Sequence, residues 1–232
     1  MTKKKKLKPL ILTEQEMLVG PLYLMLELTL LPTLITLLGQ QVGGFSTATA
    51  NYLYYWCNAV CCGLIFRKLL LESLLRAGQS LGTFLGTAVV GFLILLGANQ
   101  VLTGLADLLI PDFVNTNNAF VADMVRQSPV TMTLSLVALV PLAEECLFRG
   151  LIFTGLLGKN RNGAYLLSVV GFCAIHVLGH LGSADGLTLA VCFLQYIPAG
   201  LVLAWSCEKS GSLFAPILIH AAVNAGSLFS LR

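Results

Sequence analysis

Seven apolar runs, each near the length of a membrane-crossing helix, govern what this chain can fold into. They lie near residues 18–39, 46–66, 80–106, 129–157, 163–183, 187–206 and 213–230, and charges or turn residues divide them. A helix needs roughly 20 consecutive apolar residues to cross the hydrocarbon core. The chain is 56% hydrophobic and 11% charged, with a mean hydropathy of +0.84, whereas a soluble domain carries about 25% charged residues. A single soluble core cannot hide that much apolar surface, so lipid must cover much of it. The expected fold is all-α, a polytopic membrane helical bundle of seven to eight transmembrane helices forming one domain over residues 1–232. The run at 80–106 is long enough to tilt or to break at Gly97. The run at 129–157 is expected to kink at Pro141, just before Glu144. Residues 107–128 form the longest polar connection. They leave room for an eighth short helix or re-entrant piece, or for an outer loop or lid.

Charge sets the expected orientation. With seven spans and a cytoplasmic N-terminus, the inner segments hold Lys3, Lys4, Lys5, Lys6, Lys8, Arg67, Lys68, Arg76, Lys159, Arg161 and Lys209, and the outer ones only Arg126 and Arg232. Eleven against two obeys the positive-inside rule. The basic N-terminus at 1–17 fits a flank touching anionic headgroups. A net charge of +3 gives little reason to expect a nucleic-acid partner. The first apolar run is long for a signal core and no A-x-A site follows it, so it reads as a retained span. The seven cysteines show no metal-ligand spacing and are expected to be buried free thiols.

Against this background, ionisable groups inside apolar runs stand out. Each costs roughly 2.5–3.5 kcal/mol at bilayer depth on insertion scales, which makes it a functional candidate. Glu144, Glu145 and Arg149 occur in PLAEECLFRG, Phe172 and His176 in GFCAIH, and His220 and Asn224 in PILIHAAVN. Glu145 and Arg149 are four residues apart on one helix and can pair. Glu144 is turned about 100° away and faces something else. His220 and Asn224 share one face. His176 and His180 have the same spacing, and His180 reads as structural or supporting. Glu27, a lone acid in the first span, is expected to pair within the bundle or to border a water-filled cavity. On the expected topology Glu144, His176 and His220 cluster between mid-membrane and the cytoplasmic side, so an aqueous path is expected to open to the cytoplasm.

Taken singly, each group has a plainer role: a helix-locking ion pair, an interhelical histidine, an asparagine that ties helices together. Together, in spans otherwise almost free of charge, they suit hydrolysis. Glutamate can act as base, and imidazole and carboxamide can polarise a carbonyl and hold an oxyanion. Glu144, His176 and His220 also match the ligand types of a zinc site with one open position.

The motifs E-E-x-x-F-R-G at 144–150, F-x-x-x-H at 172–176 and G-S-L-F-A-P-I-x-x-H-x-x-x-N at 211–224 resemble those of the CPBP intramembrane proteases. This family groups the type II CAAX prenyl endopeptidases with bacterial bacteriocin-processing and immunity proteins, also called the Abi family. The resemblance covers residues 125–230. It implies that Glu144 activates a water together with His176, that His220 and Asn224 stabilise the oxyanion, that Glu145 and Arg149 order the site, and that Phe172 packs beneath His176. It leaves open whether a metal takes part.

The expected function is intramembrane endopeptidase, cleaving near the cytoplasmic face a peptide precursor or the C-terminus of a CAAX-type protein. The expected setting is a bacterial cell membrane. The rival is a non-catalytic partner, such as a bacteriocin-immunity factor or a regulator of a membrane sensor kinase. A proton-coupled transporter would need inverted repeats, and the sequence shows none.

Overall fold

The computed structural model describes residues 10–230. The basic run Lys3–Lys6 with Lys8, and Arg232, lie outside the described residues. Nine helices are formed among the described residues, with no strand. They are α1 (Glu14–Gln41), α2 (Thr47–Ile65), α3 (Arg67–Gln79), α4 (Leu81–Leu109), α5 (Thr116–Gln127), a long rod α6 (129–157), α7 (Arg161–Leu178), α8 (Gly186–Ser210) and α9 (Phe214–Ser230). Four of them, α1, α4, α7 and α8, are long and apolar enough by length and composition to cross a membrane. Leucines along α1 and α4, among them Leu22, Leu30, Leu85 and Leu93, point outward and stay exposed. That is the pattern of a bundle solvated by lipid rather than water.

Polar caps decide where the helices begin. A capping box starts α1: Thr13 N–H donates to Glu16 Oε2 at 2.7 Å, and Glu16 N–H donates to Thr13 Oγ1 at 3.3 Å. Asn115, Asn160 and Asp185 cap α5, α7 and α8 through their side-chain oxygens. Gly211, at φ +65°, ends α8 in a left-handed turn that favours glycine and sends the chain straight into α9.

Hydrogen bonds at the junctions sort the helix ends into two groups. At one end Leu69 N–H donates to Glu16 Oε1 at 3.0 Å, Ser212 Oγ donates to the Ser73 carbonyl at 2.8 Å, and Arg161 forms a two-pronged pair with Glu208 at 2.8 and 2.9 Å. At the other end Asn115 Nδ2 donates to Gln195 Oε1 at 2.7 Å, and Ala48 N–H donates to Gln127 Oε1 at 3.3 Å. The short helix α5 occupies the polar connection at 107–128 and lies at this second end. The amphipathic α3, beginning at Arg67, lies at the first. It was not foreseen because it follows directly on the second apolar run.

Two local features bear on the expectations at Gly97 and Pro141. Helix α4 continues through Gly97 without a break. In α6 the chain ahead of Pro141 forms wider turns over Ser135–Leu139, where Val140 N–H donates to the Ser135 carbonyl. Proline lacks the N–H that a regular turn would use, and such widened turns often occur at functional sites. A second wide stretch runs over Cys146–Thr154. Between them the regular segment Val140–Glu145 holds both glutamates.

Candidate active site

Arg149 is fully buried, and its contacts draw three helices together. Its Nη1 donates to Glu145 Oε1 at 3.0 Å and its Nη2 to the Gly200 carbonyl on α8 at 3.1 Å. Its guanidinium lies over the Phe172 ring of α7, 4.4 Å from the centroid. The Gly200 contact depends on close packing of α8 on α7. A Cβ at Gly200 would fall 2.9 Å from Val169 Cγ1 and 3.2 Å from Val169 Cα. Ser168 Oγ, donating to the Phe148 carbonyl at 3.0 Å, ties α7 to α6.

Both histidines are held by their Nδ1 atoms. His176 Nδ1 is 2.8 Å from the Phe172 carbonyl. A carbonyl only accepts, so Nδ1 carries the proton and Nε2 presents a lone pair. His220 Nδ1 is 2.9 Å from Glu145 Oε1, and the Arg149-paired carboxylate accepts from it. Their Nε2 atoms converge on Glu144 Oε2, at 3.9 Å from His176 and 4.0 Å from His220. Glu144 Oε2 is buried and makes no hydrogen bond among the described residues. The spacing is too long for direct hydrogen bonds, but a water oxygen about 2.8 Å from each atom would bridge them. Asn224 uses Nδ2 to donate to the Leu136 carbonyl at 2.8 Å, so one of its two N–H bonds is left over. Phe172 meets His176, His220 and Arg149 with its ring, with centroids 4.6 and 5.8 Å from the two imidazoles.

The structure therefore brings together Glu144, Glu145, Arg149, Phe172, His176, His220 and Asn224 from α6, α7 and α9. It leaves out His180, whose ring packs on Phe120. Glu27 pairs within the bundle, accepting from Tyr54 Oη at 2.8 Å. All seven cysteines are free thiols, five of them buried. Sequence reasoning missed Tyr196, whose ring lies 4.2 Å from that of His176 at an interplanar angle of 31°. Asn117 on α5 donates to its hydroxyl at 3.0 Å. A tyrosine and a glutamine in an apolar helix, Tyr196 and Gln195, were the only signal for this contact.

A cavity of about 380 Å³ reaches this cluster, with Glu144, His176 and Asn224 in its wall. Its other lining residues include Asn99 and Gln100 late in α4, Asn117 and Asn118 in α5, and Ser227 late in α9. These belong to the end where α5 lies, away from the junctions that carry Arg67, Lys159 and Lys209. The expected path from the basic, cytoplasmic side is thus corrected. Glu144 lies near the middle of α6, His220 and Asn224 lie within α9, and His176 lies in the last turn of α7, so the cavity reaches them from the end where α5 lies.

Among the described residues, no group of three or more His, Cys, Asp and Glu side chains is spaced to hold a metal ion. Glu144, His176 and His220 surround a common point, but two of their ring nitrogens already face acceptors.

Fold and site define a class: an all-α membrane bundle with a glutamate, histidine and carboxamide cluster buried in a polar cavity. The family model for the type II CAAX prenyl endopeptidase Rce1-like proteins matches residues 126–226. The UPF0177 protein YxdF of Lactococcus lactis is 26% identical over 110 residues, 47% of this chain and 55% of that protein. The alignment thus spans about half the length of this curated relative. No solved structure matches. Over residues 126–226 the chain is thus similar to the CAAX-type intramembrane proteases.

Proposed function

We propose that this protein is an intramembrane endopeptidase that hydrolyses a peptide bond with water activated by Glu144. The observation that carries the reading is the convergence of both Nε2 atoms on the buried Glu144 Oε2, at 3.9 and 4.0 Å. In the proposed reaction a water sits among these atoms, accepted by His176 Nε2 and Glu144 Oε2. Glu144 takes a proton as the water oxygen bonds to the scissile carbonyl carbon. The spare N–H of Asn224 and the imidazolium Nε2–H of His220 donate to the oxyanion, and Glu145 serves as counter-ion to that imidazolium. On collapse the C–N bond breaks. The leaving nitrogen receives the proton held by Glu144, giving a new carboxyl and a new amino terminus.

Arg149 acts at a distance from the reacting atoms. It fixes Glu145, which fixes His220, and the Gly200 carbonyl and Phe172 ring fix Arg149 in turn. Processing of a candidate peptide in membranes by Glu144→Gln and His220→Ala tests the reading. Both variants are expected to lose processing, and full activity in both would end the proposal. Zinc held by Glu144, His176 and His220 is a separate proposal. Elemental analysis of purified protein decides it: about one zinc per chain, lost in His176→Ala, supports it, and metal-free protein that still cleaves overturns it.

A further inference from the structure

Carboxamides are the commonest polar groups in the cavity wall, with Leu102, Thr103, Val121 and Leu228 among them. Asn99 and Gln100 project from α4, Asn117 and Asn118 from α5, and Gln195 from α8. Asn99, Gln100 and Asn118 make no side-chain hydrogen bond among the described residues, although α4 is otherwise an apolar helix. Their carboxamides are therefore free to meet water or a ligand that enters the cavity. A carboxamide offers one carbonyl and two N–H bonds, the same groups as a peptide bond and its neighbours. No Lys or Arg lines the cavity, so it has nothing to grip a phosphate headgroup. Glu144 is its one carboxylate, at the inner end.

The mouth also has a definite side. The end bearing α3 and the α6–α7 and α8–α9 junctions carries Arg67, Lys68, Arg76, Lys159, Arg161 and Lys209. The end bearing α5 carries Arg126 alone among the described residues, beside Asp107, Asp112, Asp123 and Asp185. The positive-inside rule puts the first end in the cytoplasm. The cavity opens at the second.

We propose that the carboxamide-lined mouth opens to the extracytoplasmic face and holds the uncharged main chain of an extended peptide presented from outside. This rests on the reading of the cluster as a peptidase and narrows its substrate to a secreted peptide or the outer juxtamembrane stretch of a membrane protein. Tyr196, hydrogen-bonded to Asn117 and packed on His176, connects the mouth to the reacting atoms.

The experiment is labelling of single added cysteines by a membrane-impermeant maleimide, which needs no turnover. The wild-type chain, whose seven free thiols are buried or half-buried, supplies the background. Ala119→Cys reports the α5 end and Lys159→Cys the basic end. In intact cells Ala119→Cys is expected to label and Lys159→Cys to label only after permeabilisation. Protection of Ala119→Cys until permeabilisation, or labelling of Lys159→Cys before it, overturns the proposal. A blocked hexapeptide of alanine, glycine and threonine added outside is expected to slow Ala119→Cys labelling severalfold, and its fully N-methylated form to leave the rate unchanged. Equal effects of the two peptides, or none from either, overturn recognition of the main chain. If the orientation is upheld but no peptide is cleaved, the proteolytic reading fails and the labelling result stands.

Discussion

Glu144 and Glu145 are neighbours in sequence with unrelated tasks, because one residue of helix turns a side chain by about 100°. Glu145 points into the bundle, where Arg149 and His220 consume its Oε1. Glu144 points into the cavity. That division was legible from the i, i+4 spacing alone, as was the shared face of His220 and Asn224. Tyr196, Gln195 and Gly200 were not legible as partners of the site. Their roles come from how α8 packs on α7 and α5, and nothing local in the sequence encodes that contact. The expected catalytic effects follow from these geometries. Glu144→Gln keeps the shape and removes the base, so kcat for peptide cleavage should fall by about 10²–10⁴-fold. Asn224→Ala removes one oxyanion donor and should lower kcat by about 10²–10³-fold with little change in KM. Single-turnover measurements with a cleavable peptide check both, and a loss confined to KM would contradict the assigned roles.

Helix contacts carry the support behind those residues. Arg149→Ala would leave Glu145 buried with His220 as its remaining partner, and breaking a buried ion pair costs about 3–5 kcal/mol. Thermal unfolding in detergent should show that loss, and the apolar double variant Glu145→Met with Arg149→Leu should recover part of it while remaining inactive. A variant as stable as the parent would mean that the pair does not hold α6. Gly200→Val should separate α7 from α8, since even a Cβ meets Val169 backbone, at about 1–3 kcal/mol for overpacking. Tyr196→Phe keeps the ring on His176 and loses the bond to Asn117. It should raise KM more than it lowers kcat, the reverse of the Asn224→Ala pattern. At this scale the sequence foretold the helical segments well because hydropathy dictates them. It missed the amphipathic α3, which carries a weaker signal, and the widened turns of α6, which arise where Pro141 and the packing of neighbouring helices outweigh regular α geometry.

For the whole molecule, the sequence identified an all-α membrane bundle from the excess of apolar surface, and four helices meet the length and apolarity needed to cross. The path it led us to expect, open to the cytoplasm, does not match the end toward which the cavity is lined. Residue depth was counted along each helix, but the position of a cavity depends on where helices diverge, and that emerges only from three-dimensional packing. The basic junctions and the cavity lie toward opposite ends of the bundle, and the proposed entry from outside rests on that separation. The claim on which the account depends most is that Glu144 delivers water to a peptide bond inside this bundle. The protein in liposomes, given a defined peptide library in water enriched in oxygen-18, tests it directly by mass spectrometry of the products. New peptide C-termini carrying the heavy oxygen are expected with the parent protein and none with Glu144→Gln. Cleavage by Glu144→Gln at the parent rate, or no new termini with the parent protein, would contradict it.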